Sequence, residues 1–383
     1  MCTRADRAAL PASDVPCSRL MWAANGIDTI RDGITPELTK DLKQVLSKQV
    51  SHGGGKKVKV CIFGAGAIGG YIGVQLAQAG VDVSLVARGP HLEAMRRNGV
   101  RLLKEGQETV VHPVCTNDPA ELGPQDYVIV GLKAHQLSAA VDQMQPLLAS
   151  DTGIVTAVNG IPYWYLYRHG GELEGNVVES VDPGGLQWRG LRPERAIGCI
   201  VYPATEIVEP GVIRHIYGDK FPLGEPSGER SARVEALSEA FAAGGMQAPV
   251  LDRVRDELWL KLWGNVSFNP ISALTHATLD VICTDPGTRA VARAMMVEAR
   301  EIAERLGVNF RVDVDRRIEG ARKVGAHKTS MLQDLERGRP MEIVPLVTVV
   351  QEFGRKLGIS TPTIDVVHAL VMQRAQVAES RSE

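Results

Sequence analysis

The stretch KVKVCIFGAGAIGGYIGVQLAQAGVDVSLVAR, residues 57–88, orders a β-rich run, a glycine turn, a helical segment and a second β-rich run. Its glycines Gly64, Gly66 and Gly69 have the G-x-G-x-x-G spacing. In that pattern the first glycine permits a tight turn, the second lets the backbone approach a pyrophosphate, and the third lets the helix pack on the strand. The stretch therefore predicts a dinucleotide-binding unit with the phosphates at the helix N-terminus.

Four more β-rich runs follow and alternate with helical segments. They are DYVIVGLK (126–133), GIVTAVNG (153–160), AIGCIVYPA (196–204) and GVIRHIYG (211–218). The alternation predicts a parallel, doubly wound sheet whose last few strands form an antiparallel extension. Ligands of such sheets bind beyond the carboxyl ends of the strands, where Lys133 and Asn159 lie. From spacing alone, an ordinary loop lysine and a turn asparagine before glycine are equally open interpretations.

The chain divides into three regions. Residues 1–56 are polar and lead into the glycine run SHGGGKK, so we predict a weakly ordered N-terminal extension. Residues 57–250 form the predicted Rossmann-type α/β domain. From about residue 251 the β-rich runs cease, and helical periodicity punctuated by glycine and proline continues. Residues 251–383 are therefore predicted to form an all-α domain.

Composition narrows the class of protein. The 383 residues carry a formal net charge of −2 with 23% charged residues, so no global charge attracts nucleic acid or an anionic membrane. No run approaches the roughly 18 apolar residues of a membrane span, and the N-terminus lacks the apolar core of a signal peptide. The six cysteines form no C-x-x-C pair, and the nine histidines form no H-x-x-x-H pair. We therefore predict a cytoplasmic protein in a reducing compartment, without a metal.

A polar ribbon interrupts an otherwise apolar helix in ELWLKLWGNVSFNP, residues 257–270. Lys261, Asn265 and Asn269 follow one another at i,i+4 spacing, so they lie on one side of the helix. Solvated helix faces usually mix Glu, Lys, Arg and Gln, whereas asparagine is a poor helix former, so the two asparagines indicate a specific task. Pro270 disfavours α geometry at Asn269, which predicts that the helix ends or kinks there and turns Asn269 toward a cleft.

Five motifs in this order resemble those of the ketopantoate reductase family, the 2-dehydropantoate 2-reductases. They are GAGAIGG, LKAHQ, VNG, ELWLKLWGNVSFNP and TSMLQDLERGRPMEI, and the resemblance spans residues 58 to about 375. It implies a Rossmann-type domain followed by a helical substrate domain. It also implies NADPH-dependent reduction of 2-dehydropantoate to pantoate, a step of pantothenate and coenzyme A biosynthesis.

The resemblance assigns chemistry to the polar ribbon. Reducing a 2-oxo acid requires a hydride at the carbonyl carbon and a proton for the developing alkoxide, so a cation at the oxygen both stabilises charge and acts as general acid. The lysine that matches Lys261 has this role in the family. The asparagines that match Asn265 and Asn269 help to hold the hydroxyl end of the substrate.

Three further side chains are implied outside the ribbon. Ser330 matches a residue that grips the substrate carboxylate, Glu342 one that bonds the substrate or orients the acid, and Asn159 one near the nicotinamide and the substrate. Without the resemblance, Ser330 is an ordinary helix N-cap and Glu342 a surface carboxylate. The implied catalytic pair is Lys261 with Glu342.

The end of the second β-rich run predicts the cofactor. An acidic residue there binds the ribose 2′-hydroxyl of NAD, whereas an arginine receives the 2′-phosphate of NADP. This chain has Arg88 and no Asp or Glu at that strand end, which favours NADPH. By resemblance, Lys133 adds a second positive charge. The predicted cofactor-binding set is Gly64, Ala65, Gly66, Ala67, Ile68, Gly69, Arg88, Lys133 and Asn159.

Other functions stay open at this point. The same plan serves reductases of other 2-oxo acids, and enzymes resembling β-hydroxyacid or opine dehydrogenases, which place the acid elsewhere. A non-catalytic NADPH-binding sensor would keep the glycine loop and dispense with Lys261. The partner predicted for the enzyme is a small-molecule 2-oxo acid, and a homodimer is compatible with the sequence.

Overall fold

The computed structural model describes residues 57–380, so the predicted N-terminal extension lies outside the described residues. Within that range the chain forms eleven strands. They are β1 Lys59–Phe63, β2 Asp82–Val86, β3 Val100–Lys104, β4 Gln107–Val111, β5 Val114–Thr116, β6 Gln125–Val130, β7 Leu148–Thr156, β8 Ala196–Cys199, β9 Ala204–Glu209, β10 Val212–Tyr217 and β11 Leu223–Gly224. The strands therefore all precede residue 225.

Seven strands form one sheet in the order β11-β8-β7-β6-β1-β2-β5. All neighbours run parallel except β8 and β11, which run antiparallel. Because the chain leaves β1 first to one side and later to the other, the sheet is doubly wound, with a crevice where the order reverses. The predicted Rossmann-type sheet is confirmed, and β11 is its antiparallel edge.

The run at 211–218 does not extend this sheet, contrary to the prediction. It forms β10, which belongs to a second sheet of order β4-β3-β10-β9. There β10 pairs antiparallel with β9 and parallel with β3. A Cβ on Gly70 would lie 2.1 Å from Ile213 Cδ1, so the second sheet packs closely on the helix that follows the glycine loop. Burial of Ile213 at this contact is what draws β10 away from the main sheet.

Five α-helices accompany the two sheets. They are α1 Ala67–Gln78, α2 Gly89–Asn98, α3 Leu137–Met144, α4 Leu186–Leu191 and α5 Ala232–Ala243, with short 3₁₀ segments at Pro119–Glu121, Ala134–Gln136, Gln145–Leu147, Pro183–Gly185 and Pro193–Arg195. Helix α1 begins directly at the glycine turn after β1, and α2 begins directly after β2. These short connections place both helix N-termini at the carboxyl edge of the main sheet.

All regular elements between residues 251 and 380 are helical, which confirms the predicted all-α region. They are α6 Val254–Thr275, α7 Leu279–Thr284, α8 Pro286–Arg305, α9 Val314–Arg322, α10 Ser330–Glu336, a π-helical turn Val344–Thr348, α11 Val349–Leu357 and α12 Pro362–Glu379. The boundary at residues 250 and 251 falls between α5 and α6 and stays a prediction.

Helix α6 lies at the centre of the helical core. Trp259 and Trp263 are fully buried. Their ring N–H groups donate to the Tyr165 hydroxyl and to the Met296 carbonyl, each at 2.6 Å, so neither leaves a buried donor unpaired. Truncating either tryptophan to alanine would cost about 3–5 kcal/mol of stability. This packing fixes the helix that carries Lys261.

Pro270 does not end α6, so one of the two predicted outcomes is wrong, and the other, a kink, stays a prediction. The helix continues to Thr275. Proline cannot donate to the carbonyl of Val266, a penalty of about 3 kcal/mol inside a helix. Asn269 and Pro270 are both buried, however, so packing of this turn against the core outweighs the local penalty.

Candidate active site

The three glycines of the loop meet three different physical demands. Gly64 has φ +98°, and a Cβ on it would lie 2.7 Å from Leu132 Cδ2. A Cβ on Gly69 would lie 2.3 Å from the Gly64 carbonyl oxygen, so the helix could not approach the strand. At Gly66 the nearest atom would be the Gly131 oxygen at 4.0 Å, an ordinary contact distance, so the surrounding protein leaves room there. The loop is thus closed behind Gly64 and Gly69 and open in front of Gly66.

A cleft of about 940 Å³ lies in front of this loop. Ser330 and Glu342 line it from the helical region. From the sheet region it is lined by eight of the predicted cofactor-binding residues: Gly64, Ala65, Gly66, Ala67, Ile68, Arg88, Lys133 and Asn159. Gly69, the ninth, lies behind the loop. The cleft therefore joins the predicted cofactor residues to part of the predicted substrate set.

Arg88 lies two residues after the end of β2, at the position where the 2′-phosphate of a dinucleotide is expected. It occupies the N-cap of α2, and its side chain is exposed. Among residues 57–380 its guanidinium has no hydrogen bond or ion pair. All five guanidinium N–H groups are therefore available to an anion.

Lys133 is also in the cleft, but its charge is already engaged. Its Nζ donates to Asp334 Oδ2 at 2.5 Å and to the Pro340 carbonyl at 3.1 Å. Asp334 is 5% exposed and also pairs with Arg339 at 2.9 Å. The prediction that Lys133 provides a second positive charge to the cofactor stays a prediction. In this structure the Lys133 ammonium is paired with the Asp334 carboxylate.

Lys261 lies beside Asn159, which lines the cleft, and itself lines a small cavity of about 20 Å³ that shares Val158 and Val201 with the cleft. Its Nζ donates to Asn159 Oδ1 at 2.7 Å and to the Val201 carbonyl. Asn159 follows β7 and Val201 follows β8, so two neighbouring strand ends of the sheet hold the ammonium of a helix residue. The helical region thereby reaches the carboxyl edge of the sheet, where ligands of this fold bind.

Glu342 completes a chain of hydrogen bonds through Asn159. The amide Nδ2 of Asn159 donates to Glu342 Oε2 at 3.1 Å, and the other carboxylate oxygen accepts from the Ala134 N–H at 3.3 Å. An ammonium can only donate and a carboxylate can only accept, so these partners fix the orientation of the Asn159 amide. Glu342 is 8% exposed, so the alternative of a surface carboxylate is wrong.

Burial lowers the pKa of Lys261 to about 8, and the nearby carboxylate of Glu342 opposes the shift. Desolvation disfavours the ammonium, whereas a neighbouring carboxylate favours it. The thiol of Cys199 is itself buried, which raises its pKa to about 12, so it stays protonated. At neutral pH, Lys261 is an ammonium that loses its proton readily.

The remaining predicted substrate residues lie around this chain. Asn269 donates from Nδ2 to Ser330 Oγ at 3.5 Å, which brings α6 and α10 together. The alternative of Ser330 as a helix N-cap is wrong, because Thr329 caps α10 by accepting from the Leu332 N–H at 3.3 Å. Asn265 lines the same small cavity as Lys261 and does not line the cleft.

Comparisons with known proteins agree with this arrangement. Residues 60–228 match the family described as "Ketopantoate reductase PanE/ApbA", and residues 253–375 match "Ketopantoate reductase PanE/ApbA C terminal". A 2-dehydropantoate 2-reductase of Mesorhizobium japonicum is 57% identical over 319 residues, which are 83% of this chain and 98% of the relative. This chain belongs to the ketopantoate reductase family.

Solved structures of ketopantoate reductases share the fold along nearly their whole length. One from Ralstonia solanacearum is 38% identical with a TM-score of 0.81, covering 84% of this chain and 99% of that chain. A 2-dehydropantoate 2-reductase of Geobacter metallireducens is 28% identical with a TM-score of 0.73, covering 82% and 99%. The two-domain plan, a Rossmann-type domain followed by helices, is therefore that of the ketopantoate reductase family.

Sequence reasoning missed three partners in this ketopantoate reductase site. The Val201 carbonyl and the Ala134 N–H are backbone groups, which carry no side-chain signal. Asp334 stands in the quoted motif TSMLQDLERGRPMEI, but its partner Lys133 lies 201 positions away. Only the fold reveals such pairs.

Residues 57–380 lack two features that would change the class of protein. No helix there is long and apolar enough to cross a membrane. In the same range, no group of three or more His, Cys, Asp or Glu side chains is arranged to hold a metal ion.

Proposed function

We propose that this protein reduces 2-dehydropantoate to pantoate with NADPH, and that Lys261 donates the proton. Its family consists of NADPH-dependent oxidoreductases, so an oxidoreductase is the class of enzyme. The observation that carries the residue roles is the chain of hydrogen bonds from Lys261 through Asn159 to Glu342, of which Asn159 and Glu342 line the nucleotide cleft. A sensor that only bound the cofactor would not need such a chain.

Lys261 has one donor to spare. An ammonium has three N–H groups, and two are taken by Asn159 and Val201. The third has no acceptor among residues 57–380 and is available to a substrate carbonyl oxygen. As the oxygen gains negative charge, Lys261 stabilises it and then transfers the proton, so that an N–H bond breaks and an O–H bond forms. A pKa of about 8 suits this role at neutral pH.

The residues of the cleft fit NADPH. Open space in front of Gly66, at the N-terminus of α1, lets a pyrophosphate approach backbone N–H groups. Arg88 has a free guanidinium for the 2′-phosphate. When bound, NADPH supplies the hydride. Asn159 then has a second role, because it holds Lys261 beside the space in which the nicotinamide and the substrate meet.

The substrate is held, in this proposal, by groups around Lys261. Ser330 binds the carboxylate, and Asn269, which already donates to Ser330 at 3.5 Å, binds the hydroxyl end together with Asn265. Glu342 orients Asn159 and, through it, the ammonium. Asn265 lies one turn from Lys261 on the same face of α6, and both side chains line the small cavity.

The decisive experiment is NADPH oxidation with 2-dehydropantoate beside a panel of other 2-oxo acids that lack its hydroxyl. We expect the highest kcat/KM with 2-dehydropantoate. Turnover with the other acids but not with 2-dehydropantoate would contradict the proposed substrate while leaving the chemistry intact. No turnover with any of them, despite tight NADPH binding, would favour the sensor.

We further propose the cytoplasm as the compartment, on the sequence features given above. Monomer and homodimer are distinguished by light scattering of the purified protein. Neither assignment enters the chemistry proposed for Lys261.

A further inference from the structure

His91 lines the nucleotide cleft and has no role in the chemistry described above. It stands in α2, three residues after Arg88. Its two ring nitrogens have two different backbone partners: Nε2 lies 2.9 Å from the Ala65 carbonyl oxygen, and Nδ1 lies 3.0 Å from the Gly211 nitrogen. One side chain thus joins the glycine loop to the turn between β9 and β10.

These partners fix the protonation of the ring. A backbone N–H can only donate, so Nδ1 accepts from Gly211 and carries no hydrogen. A backbone carbonyl can only accept, so Nε2 carries the hydrogen and donates it to Ala65. Burial lowers the pKa of His91, which agrees with a neutral ring, although the bond to Ala65 opposes the shift. His91 is therefore a neutral Nε2–H imidazole.

The hydrogen bond from His91 to the Ala65 carbonyl also fixes the direction of the Gly66 N–H. In a trans peptide the carbonyl of one residue and the N–H of the next point in opposite directions, and residues 57–380 contain no cis peptide. Holding the Ala65 carbonyl toward α2 therefore turns the Gly66 N–H away from α2. That N–H has no acceptor among the described residues, and Gly66 lines the cleft.

The loop is held from the other side as well. The N–H groups of Gly64 and Ala65 both lie within reach of the Val86 carbonyl, at 3.1 and 3.0 Å. Val86 is the last residue of β2, so this contact holds the loop against the sheet. His91 is the only group among the described residues that is bonded to the Ala65 carbonyl. Without it, the Ala65–Gly66 peptide could rotate without losing another hydrogen bond.

We propose that His91 is a positioning residue for the dinucleotide pyrophosphate: by holding the Ala65 carbonyl, it aims the Gly66 N–H at the phosphates. This inference rests on the proposed cofactor. The Gly211 N–H keeps the imidazole in the required tautomer, so the turn of the second sheet contributes to cofactor binding without touching the cofactor. Arg88 and His91 thus act on two different parts of one ligand from one short segment.

Binding of two fragments to the unaltered protein, His91→Leu and His91→Gln tests the proposal. The fragments are 2′-phospho-ADP-ribose, which contains the pyrophosphate, and adenosine 2′-phosphate, which lacks it. We expect His91→Leu to raise the Kd of the first about tenfold or more, the worth of one charge-assisted hydrogen bond, and the Kd of the second by less than about twofold. The glutamine amide has a nitrogen that donates and an oxygen that accepts, so His91→Gln restores most of the affinity.

Three results would overturn the proposal. They are equal weakening of both fragments in His91→Leu, a His91→Gln variant as weak as His91→Leu, and unchanged binding in His91→Leu. A merely structural role would lower the thermal stability without separating the two fragments. If His91→Leu does not fold, the nitrogen chemical shifts of the His91 ring in the unaltered protein decide, because an Nδ1–H tautomer contradicts the geometry. Failure of the unaltered protein to bind either fragment would contradict the cofactor itself and this inference with it.

Discussion

The two ends of the cleft are built on opposite principles. At the nucleotide end, Arg88 and the Gly66 N–H are without partners among residues 57–380 and await a ligand. At the chemical end, hydrogen bonds already join Lys261 to Asn159 and Asn159 to Glu342, and one N–H of Lys261 is left for the substrate. An open end contributes mainly binding energy, whereas a preorganised end contributes to the barrier. Substitutions should therefore act on KM at the first end and on kcat at the second.

The largest expected effect is that of Lys261→Ala. Loss of the general acid should lower kcat by about 10²-fold or more, while the Kd of NADPH changes by less than about twofold. Steady-state kinetics and a fluorescence titration with NADPH measure the two quantities. Lys323→Ala, which removes an exposed lysine of the helical region, is the matched control. A near-normal kcat in Lys261→Ala would contradict the claim that substitutions at the chemical end act on kcat.

Arg88→Ala addresses the other end. Losing the charge-assisted bonds to the 2′-phosphate should raise KM for NADPH by about tenfold or more and change KM for NADH much less, with kcat nearly unchanged. Arg97→Ala, an exposed arginine of the same helix, should leave both KM values as they are. If the unaltered protein used NADPH and NADH equally, the assignment of Arg88 would be wrong.

Asn269→Ala should give the smallest of these three effects. It tests the comparison between the two ends, because Asn269 lies at the chemical end but is proposed only to bind the substrate. KM for the 2-oxo acid should rise several-fold, about 1 kcal/mol for one neutral hydrogen bond, and more than kcat falls. Asn309→Ala, an exposed asparagine on a loop, serves as the control. An unchanged KM would place Asn269 outside the substrate site.

The main sheet was predictable because its information is local. The strand, glycine turn and helix of residues 57–88 lie in one segment, and the clash that a Cβ on Gly69 would make with the Gly64 carbonyl oxygen arises within it. The second sheet was not, since β3, β4 and β9 contain charged residues such as Arg101, Glu108 and Glu206 that disguise their alternation. The predicted end of the helix at Pro270 was wrong for a related reason, because the local rule for proline takes no account of burial.

The candidate site divides in the same way. Arg88 and the glycines could be read from one motif, whereas Lys261 and Asn159 are 102 positions apart, and Asn159 and Glu342 are 183 positions apart. The family resemblance named these residues, but it gave neither their hydrogen bonds nor the partner atoms Val201 O and Ala134 N. Contacts of backbone groups across such distances depend on the folded chain. His91 illustrates the same limit within one helix, since a single histidine carries no motif.

The most direct test of the central claim is the pH dependence of kcat/KM for the 2-oxo acid, at saturating NADPH, in the unaltered protein and in Glu342→Gln. Lys261 must be protonated to act as the acid, so activity should be full below its pKa and fall as the pH rises through about 8. The charge of Glu342 raises that pKa, so Glu342→Gln should move the fall to lower pH. An alkaline limb that stays in place in Glu342→Gln, or activity that persists unchanged to about pH 10, the ordinary pKa range of lysine, would contradict the account.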